Sequence, residues 1–118
     1  MDEQTAVRAL AALAHPHRLD IFRALLRAGR QGAPAGVVAA RLGIGPTSFS
    51  FHVKELVGAG LVRSERRGRN VIYAADIDGM AELMEFLSQD CCGGNPQLCA
   101  GLPVREVVPE KRVRRRAQ

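Results

Sequence analysis

The sequence predicts a mainly α-helical chain with one small β-hairpin, and three observations lead to this fold class. Apolar residues recur at helical spacing through most of the first 90 residues, with proline and glycine at the expected helix ends. Two of these helices are separated only by the tight turn from Gly43 to Pro46. Two short runs typical of strands, 61–66 and 71–75, flank a glycine-containing link. Helix, turn, helix and hairpin in this order make a winged helix-turn-helix.

The first two helices are predicted from about Asp2 to Ala14 and from Pro16 to Ala28. Proline disfavours helix at the residue before it and is a good first helical residue, so His15-Pro16 separates them. His15 and His17 stand at this boundary, where a capping or surface role is favoured over metal ligation. The first helix has a stripe of mostly alanine and leucine, formed by Ala6, Val7, Leu10, Ala11, Leu13 and Ala14. The second helix is expected to bury Leu19, Phe22, Leu25 and Leu26.

The next two helices are predicted to begin at Pro34 and at Pro46, with Gly43 closing the first of them. The later helix has an apolar face at helical spacing and an opposite face with small hydroxyls, a lysine and a phenylalanine. An outer face of this kind requires a partner. The inner face consists of Phe49, Val53, Leu56 and Val57, and the outer face of Thr47, Ser48, Phe51, Lys54 and Glu55.

The basic side chains of the hairpin indicate which partner the outer face of the helix binds. Four arginines lie on or beside it, and residues 41–75 hold six basic and two acidic side chains. An ordinary solvated hairpin is the alternative, but a helix in the major groove with a basic wing on the backbone accounts for both features. The residues predicted to bind double-stranded DNA are Thr47, Ser48, Ser50, Phe51, His52, Lys54, Arg66, Arg67 and Arg69.

Two of these predictions stay open between a DNA contact and a structural role. Phe51 lies near the centre of the outer face, where it could contact thymine methyl groups or fold back onto the domain. His52 lies at the edge of that face, where a phosphate contact and a local hydrogen bond are both compatible with the spacing.

The chain ends in a helix, a cysteine-containing segment and a basic tail. The last helix is expected from about Asp76 to Cys91, with Met80, Leu83, Met84 and Leu87 forming a packing seam. We therefore expect a domain at 1–90, a metalloid-binding segment at 91–102 and a basic, disordered tail at 103–118. Three clustered cysteines, an acidic N-terminus and the lack of a long apolar run predict a cytoplasmic protein that does not enter the membrane.

Several segments together resemble the ArsR/SmtB family of bacterial winged-helix repressors. They are residues 13–22 (LAHPHRLDIF), the turn at Leu42-Gly43, residues 50–56 (SFHVKEL), residues 59–62 (AGLV) and residues 66–69 (RRGR). The resemblance covers about residues 5–90. It implies a homodimer built by the first and last helices, which binds an operator and leaves it when a metal or metalloid binds.

Two metal sites found in members of that family are missing from this sequence. Pro34 and Gly36 occupy the positions of a Cys-x-Cys pair and offer no donor atom, and the last helix has no histidine. The chain's three cysteines, Cys91, Cys92 and Cys99, follow that helix instead, as in arsenic-responsive members with C-terminal cysteines. Thiolates prefer thiophilic ions, and three of them match pyramidal As(III) or Sb(III), whereas zinc would require a fourth ligand.

The sequence therefore predicts a repressor that trivalent arsenic or antimony releases from DNA, with no organic cofactor. A redox or reactive-sulfur switch on the same cysteines, or a soft divalent metal sensor, is the alternative. An enzyme with a thiolate active site is disfavoured because no histidine or aspartate is placed in sequence to serve such a thiol.

Overall fold

A computed structural model describes residues 1–89, and the three cysteines lie outside these described residues. Residues 1–83 form one compact unit, and a second unit begins at Met84, of which 84–89 are described. The elements are α1 (Glu3–Leu13), α2 (Pro16–Ala28), β1 (Ala33–Pro34), α3 (Ala35–Leu42), α4 (Pro46–Gly58), β2 (Val62–Arg67), β3 (Asn70–Ala75) and α5 (Ile77–Ser88). The predicted fold class, mainly helical with a small hairpin, is confirmed.

Side-chain caps define where α1 and α2 begin. The Asp2 carboxylate accepts a hydrogen bond of 2.8 Å from the Thr5 amide. Hydrogen bonds from the Thr5 side chain and from this amide lower the pKa of Asp2. The His15 imidazole caps α2 in the same way, accepting from the His17 amide at 3.1 Å. The predicted capping role of His15 is thus confirmed.

A left-handed residue closes α3 and sets the path into α4. Gly43 has φ 69°, a conformation that costs little without a Cβ, and the following Ile44 is buried. Pro46 then opens α4, which contributes Phe49, Val53 and Leu56 to the core.

The sheet has three antiparallel strands in the order β1-β3-β2. The hairpin of β2 and β3 turns at Gly68 and Arg69, with Gly68 at φ 62° and Arg67 paired with Asn70. Strand β1 was not predicted. Its two residues pair with Ile72 and Tyr73 along the edge of β3 that β2 leaves open, and two residues are too few to show a strand pattern.

The base of the hairpin holds the first turn of α5. The Asp76 amide donates to the Leu61 carbonyl at 2.8 Å, and the Asp76 carboxylate accepts from the Gly79 amide at 3.0 Å. A Cβ on Gly79 would collide with the Gly60 carbonyl oxygen, so this close approach requires glycine. The helix ends at Ser88, three residues before the predicted end.

Burial divides the apolar stripe of α1 and corrects the predicted core of α2. In α1 the buried residues are Ala6, Ala9 and Ala12, whereas Val7 and Leu10 are 56% and 41% exposed. An alanine stripe allows α1 to pack closely, and this rotates the larger side chains outward. In α2 the chain buries Ile21 with Phe22 and Leu25, while Leu19 is exposed. Among residues 1–89 no helix is long and apolar enough to cross a membrane.

Candidate DNA-binding interface

The outer face of α4 is open to a partner over most of its length. Thr47 and Lys54 are exposed, Ser48 and Ser50 lie on the same helix, and Phe51 is 60% exposed. Helical periodicity produces this division because the apolar residues at 49, 53 and 56 take the opposite side. A convex surface with hydroxyl donors, one cation and one aromatic ring can reach both base edges and phosphates in a major groove.

The wing, which is the hairpin Val62–Ala75, presents guanidinium groups at its tip. Every residue from Arg63 to Asn70 is exposed, so β2 is solvated on both faces beyond its first residue. Arg67 pairs with Glu65 at 3.2 Å, and both side chains are more than half exposed, so this bond is worth little. Arg66 and Arg69 add two further cations beside it. The structure thus places the predicted wing residues on an accessible, positively charged loop.

His52 is the predicted contact that the structure places elsewhere. Its side chain is only 8% exposed, on the α2 side of α4, and its Nδ1 lies 3.2 Å from Arg18 Nη1. The structure thus gives His52 a structural hydrogen bond, but with a distant residue and not the local bond that the spacing allowed. The distinction was not accessible from the sequence because the partner stands 34 residues away.

The same imidazole belongs to a group that sequence reasoning did not bring together. His15, His17 and His52 (the histidine cluster) have ring centroids between 4.4 and 5.5 Å apart. Burial lowers the pKa of His52, and the neighbouring His15 and Arg18 lower it further. The spacing of three histidines across two distant segments gave no signal of this proximity.

The predicted thiolate ligands Cys91, Cys92 and Cys99 lie outside the described residues. Their role, and the DNA contacts of individual side chains, stay predictions.

Comparisons with known proteins agree with this geometry. A family model described as "Helix-turn-helix domain" matches residues 13–65, which span α2 to most of β2. A solved ArsR-like transcriptional regulator from Rhodococcus sp. RHA1 is 25% identical with a TM-score of 0.68, covering 89% of this chain and 96% of its own.

Two further structures are similar. A possible transcriptional regulator for arsenical resistance is 27% identical with a TM-score of 0.60, covering 78% of this chain and 93% of its own. The homodimeric winged helix-turn-helix DNA-binding domain of a possible ArsR-family regulator from Mycobacterium bovis has a TM-score of 0.61. It is 22% identical, which shows the fold, and covers 74% of this chain and 81% of its own. The chain is thus similar to winged-helix transcription regulators of the ArsR type, which are DNA-binding proteins and not enzymes.

Proposed function

We propose that this chain is a metalloid-responsive repressor, which binds operator DNA as a homodimer and is released when As(III) or Sb(III) binds its cysteine thiolates. The observation that carries the proposal is the clustering of all three cysteines within nine residues, beginning at the third residue after α5. Three thiolates match the three-coordinate preference of these ions. The similarity to a possible regulator for arsenical resistance supports the same ligand class. A repressor of this kind would work in the cytoplasm, where its operator lies.

The DNA-binding half of the proposal rests on two accessible surfaces of the 1–83 unit. The outer face of α4 would enter the major groove, with Thr47, Ser48, Ser50, Phe51 and Lys54 as its contacts. The wing, through Arg66, Arg67 and Arg69, would meet the phosphate backbone beside it.

The homodimer is supported by an apolar surface on α1. Val7 and Leu10 lie one helical turn apart, and both are exposed in the single chain. We expect a second copy of the chain to cover these two side chains. The similar domain from Mycobacterium bovis is homodimeric.

Release from DNA follows from linkage between the two ligands. If DNA and the metalloid favour different geometries of the dimer, each must weaken the binding of the other by the same factor. Two recognition helices must reach successive major grooves about 34 Å apart. A change at the end of α5 that alters the dimer contact would therefore spoil the spacing.

Operator binding during arsenite titration tests this function. The full chain is kept reduced with a phosphine rather than a dithiol, because dithiols themselves chelate arsenite. We expect release at one arsenite per cysteine set, no release in a Cys91→Ser, Cys92→Ser double variant, and weakened response in Cys99→Ser. Both variants should bind DNA normally without arsenite. A double variant that still leaves the operator would refute the thiolate sensor, and release by oxidants alone would favour the redox switch.

A further inference from the structure

We propose that the histidine cluster is a binding site for one divalent first-row transition-metal ion such as Zn²⁺, located where the start of α2 meets α4. One ring nitrogen from each of His15, His17 and His52 can be chosen so that all three lie within 4.8 Å of one another. These are the only histidines of the chain. The site shares no residue with the cysteine segment, so its failure would leave the proposed function untouched.

Imidazole nitrogen is a ligand that zinc, copper and nickel accept. Bonds of about 2.0–2.1 Å in a tetrahedral site place ligand nitrogens about 3.3 Å apart, so the cluster must contract by roughly 1.5 Å at most. His17 can supply much of this movement because its side chain is exposed, whereas His52 is buried and fixed by packing. Water would complete the coordination on the exposed side.

The side chain of His17 is the evidence that the histidine cluster is more than the N-terminal cap of α2. His15 caps α2 with its imidazole, and His52 contacts Arg18, so both rings have structural roles. The cap uses only the backbone amide of His17, and within residues 1–89 its imidazole makes no hydrogen bond. Its ring nevertheless lies 5.4 Å from that of His52 and 5.5 Å from that of His15, measured between centroids.

Metal binding must compete with two hydrogen bonds. A neutral imidazole that accepts at Nδ1 carries its proton on Nε2, and a metal on Nε2 forces that proton onto Nδ1. The ion therefore displaces Arg18 from His52 and weakens the cap that His15 makes. The Arg18 guanidinium also repels a dication. Arg18 thus acts as a competitor of the metal, and replacing it with an apolar side chain of similar length should tighten binding.

Zinc titration of the full-length chain with all three cysteines replaced by serine tests the site. Without thiolates, only nitrogen and oxygen donors remain. We expect one Zn²⁺ per chain, at least about 100-fold weaker binding in His17→Ala, and tighter binding in Arg18→Met. His17 is exposed, so its loss should not unfold the domain. The control is Asp20→Asn, which removes an exposed carboxylate on α2 and should change nothing.

Nitrogen NMR of labelled histidine gives an independent measurement, since all six ring nitrogens belong to the cluster. Without metal, the signals of His15 and His52 should show the proton on Nε2. Zinc should then shift one nitrogen of each of the three rings. Zinc that shifts His17 alone, or an affinity that His17→Ala leaves unchanged, would overturn the site and leave the cluster as a cap with a packed histidine.

Discussion

Phe49 and Phe51 lie two residues apart on α4, yet Phe49 is 3% exposed and Phe51 is 60% exposed. Phe49 packs with Val53 and Leu56 against the rest of the domain, and its ring meets that of Tyr73 edge-on at 6.0 Å. Phe51 stands on the outer face, where the only ring it meets among residues 1–89 is His52, at 5.3 Å. Residue type is the same at both positions, so the difference comes from the helical period.

The two faces should therefore respond to different measurements. Inner-face substitutions should change the free energy of unfolding, because they remove buried contacts. Outer-face and wing substitutions should change DNA binding and leave folding nearly untouched. His52 lies between the inner and outer faces of α4. The sequence predicts it at the edge of the outer face, whereas its side chain is buried in the structure.

The largest effects are expected on the inner face, and Leu56→Ala is one variant that measures them. Leu56 is fully buried, and shortening it removes apolar contacts and leaves a cavity, at a cost of about 2–5 kcal/mol in the free energy of unfolding. Denaturant titration measures this loss. The matched control is Leu19→Ala, because Leu19 is 43% exposed and should cost clearly less. Equal losses in the two variants would contradict the packing of α4 described above.

The second effect tests the buried position of His52 through its hydrogen-bond partner, Arg18. Arg18 Nε donates to the Ala12 carbonyl at 2.6 Å, while Nη1 lies beside His52, so one side chain joins α1, α2 and α4. Arg18→Met leaves two part-buried acceptors without this donor and should cost about 1–3 kcal/mol of unfolding free energy in a chelator-containing buffer. Arg23→Met, at an exposed position of α2, is the control and should cost little. A stable Arg18→Met variant would show that the bridge is dispensable.

The helix bounds could be predicted because proline and glycine mark them locally. α2 and α4 begin at Pro16 and Pro46, and Gly29 and Gly43 end α2 and α3, as the sequence predicts. The α4 faces were predictable for the same reason, since helical spacing needs no knowledge of the partner. Only Val57 departs from the predicted inner face, being half-buried.

What could not be predicted depends on contacts between distant segments. β1 exists because β3 offers it an open edge, and the histidine cluster exists because the start of α2 packs beside α4. The exposure of Val7 and Leu10 depends on how closely the alanines of α1 approach their neighbours. None of these follows from spacing along the chain.

The third effect concerns DNA binding by the wing, to which we expect Arg67 and Arg69 to contribute unequally. Arg69→Ala and Arg67→Ala should weaken binding to specific and random DNA alike, and each phosphate that the wing no longer neutralises should lower the salt slope by about 0.9. Arg67 already pairs with Glu65, so we expect Arg69→Ala to have the larger effect. Arg23→Ala on α2 serves as the control for the removal of a surface charge. A salt slope unchanged in both wing variants would remove the wing from the interface.

The smallest effect on stability, and the sharpest test of the comparison, is expected from Phe51→Ala. Because Phe51 is largely exposed, its truncation should change the free energy of unfolding by less than about 0.5 kcal/mol, whereas Phe49→Ala should cost about 3–5 kcal/mol.

On DNA, an exposed phenyl ring can pack against thymine methyl groups in the major groove. Its loss should then reduce discrimination between operator variants by about 1 kcal/mol while leaving the salt slope unchanged. Affinities measured for operators with single thymine-to-uracil changes identify the base involved, since uracil lacks only the methyl group. If Phe51→Ala instead lowers the melting temperature strongly and leaves operator preference intact, Phe51 packs on the domain. The assignment of Phe51 to the outer face of α4 would then be wrong.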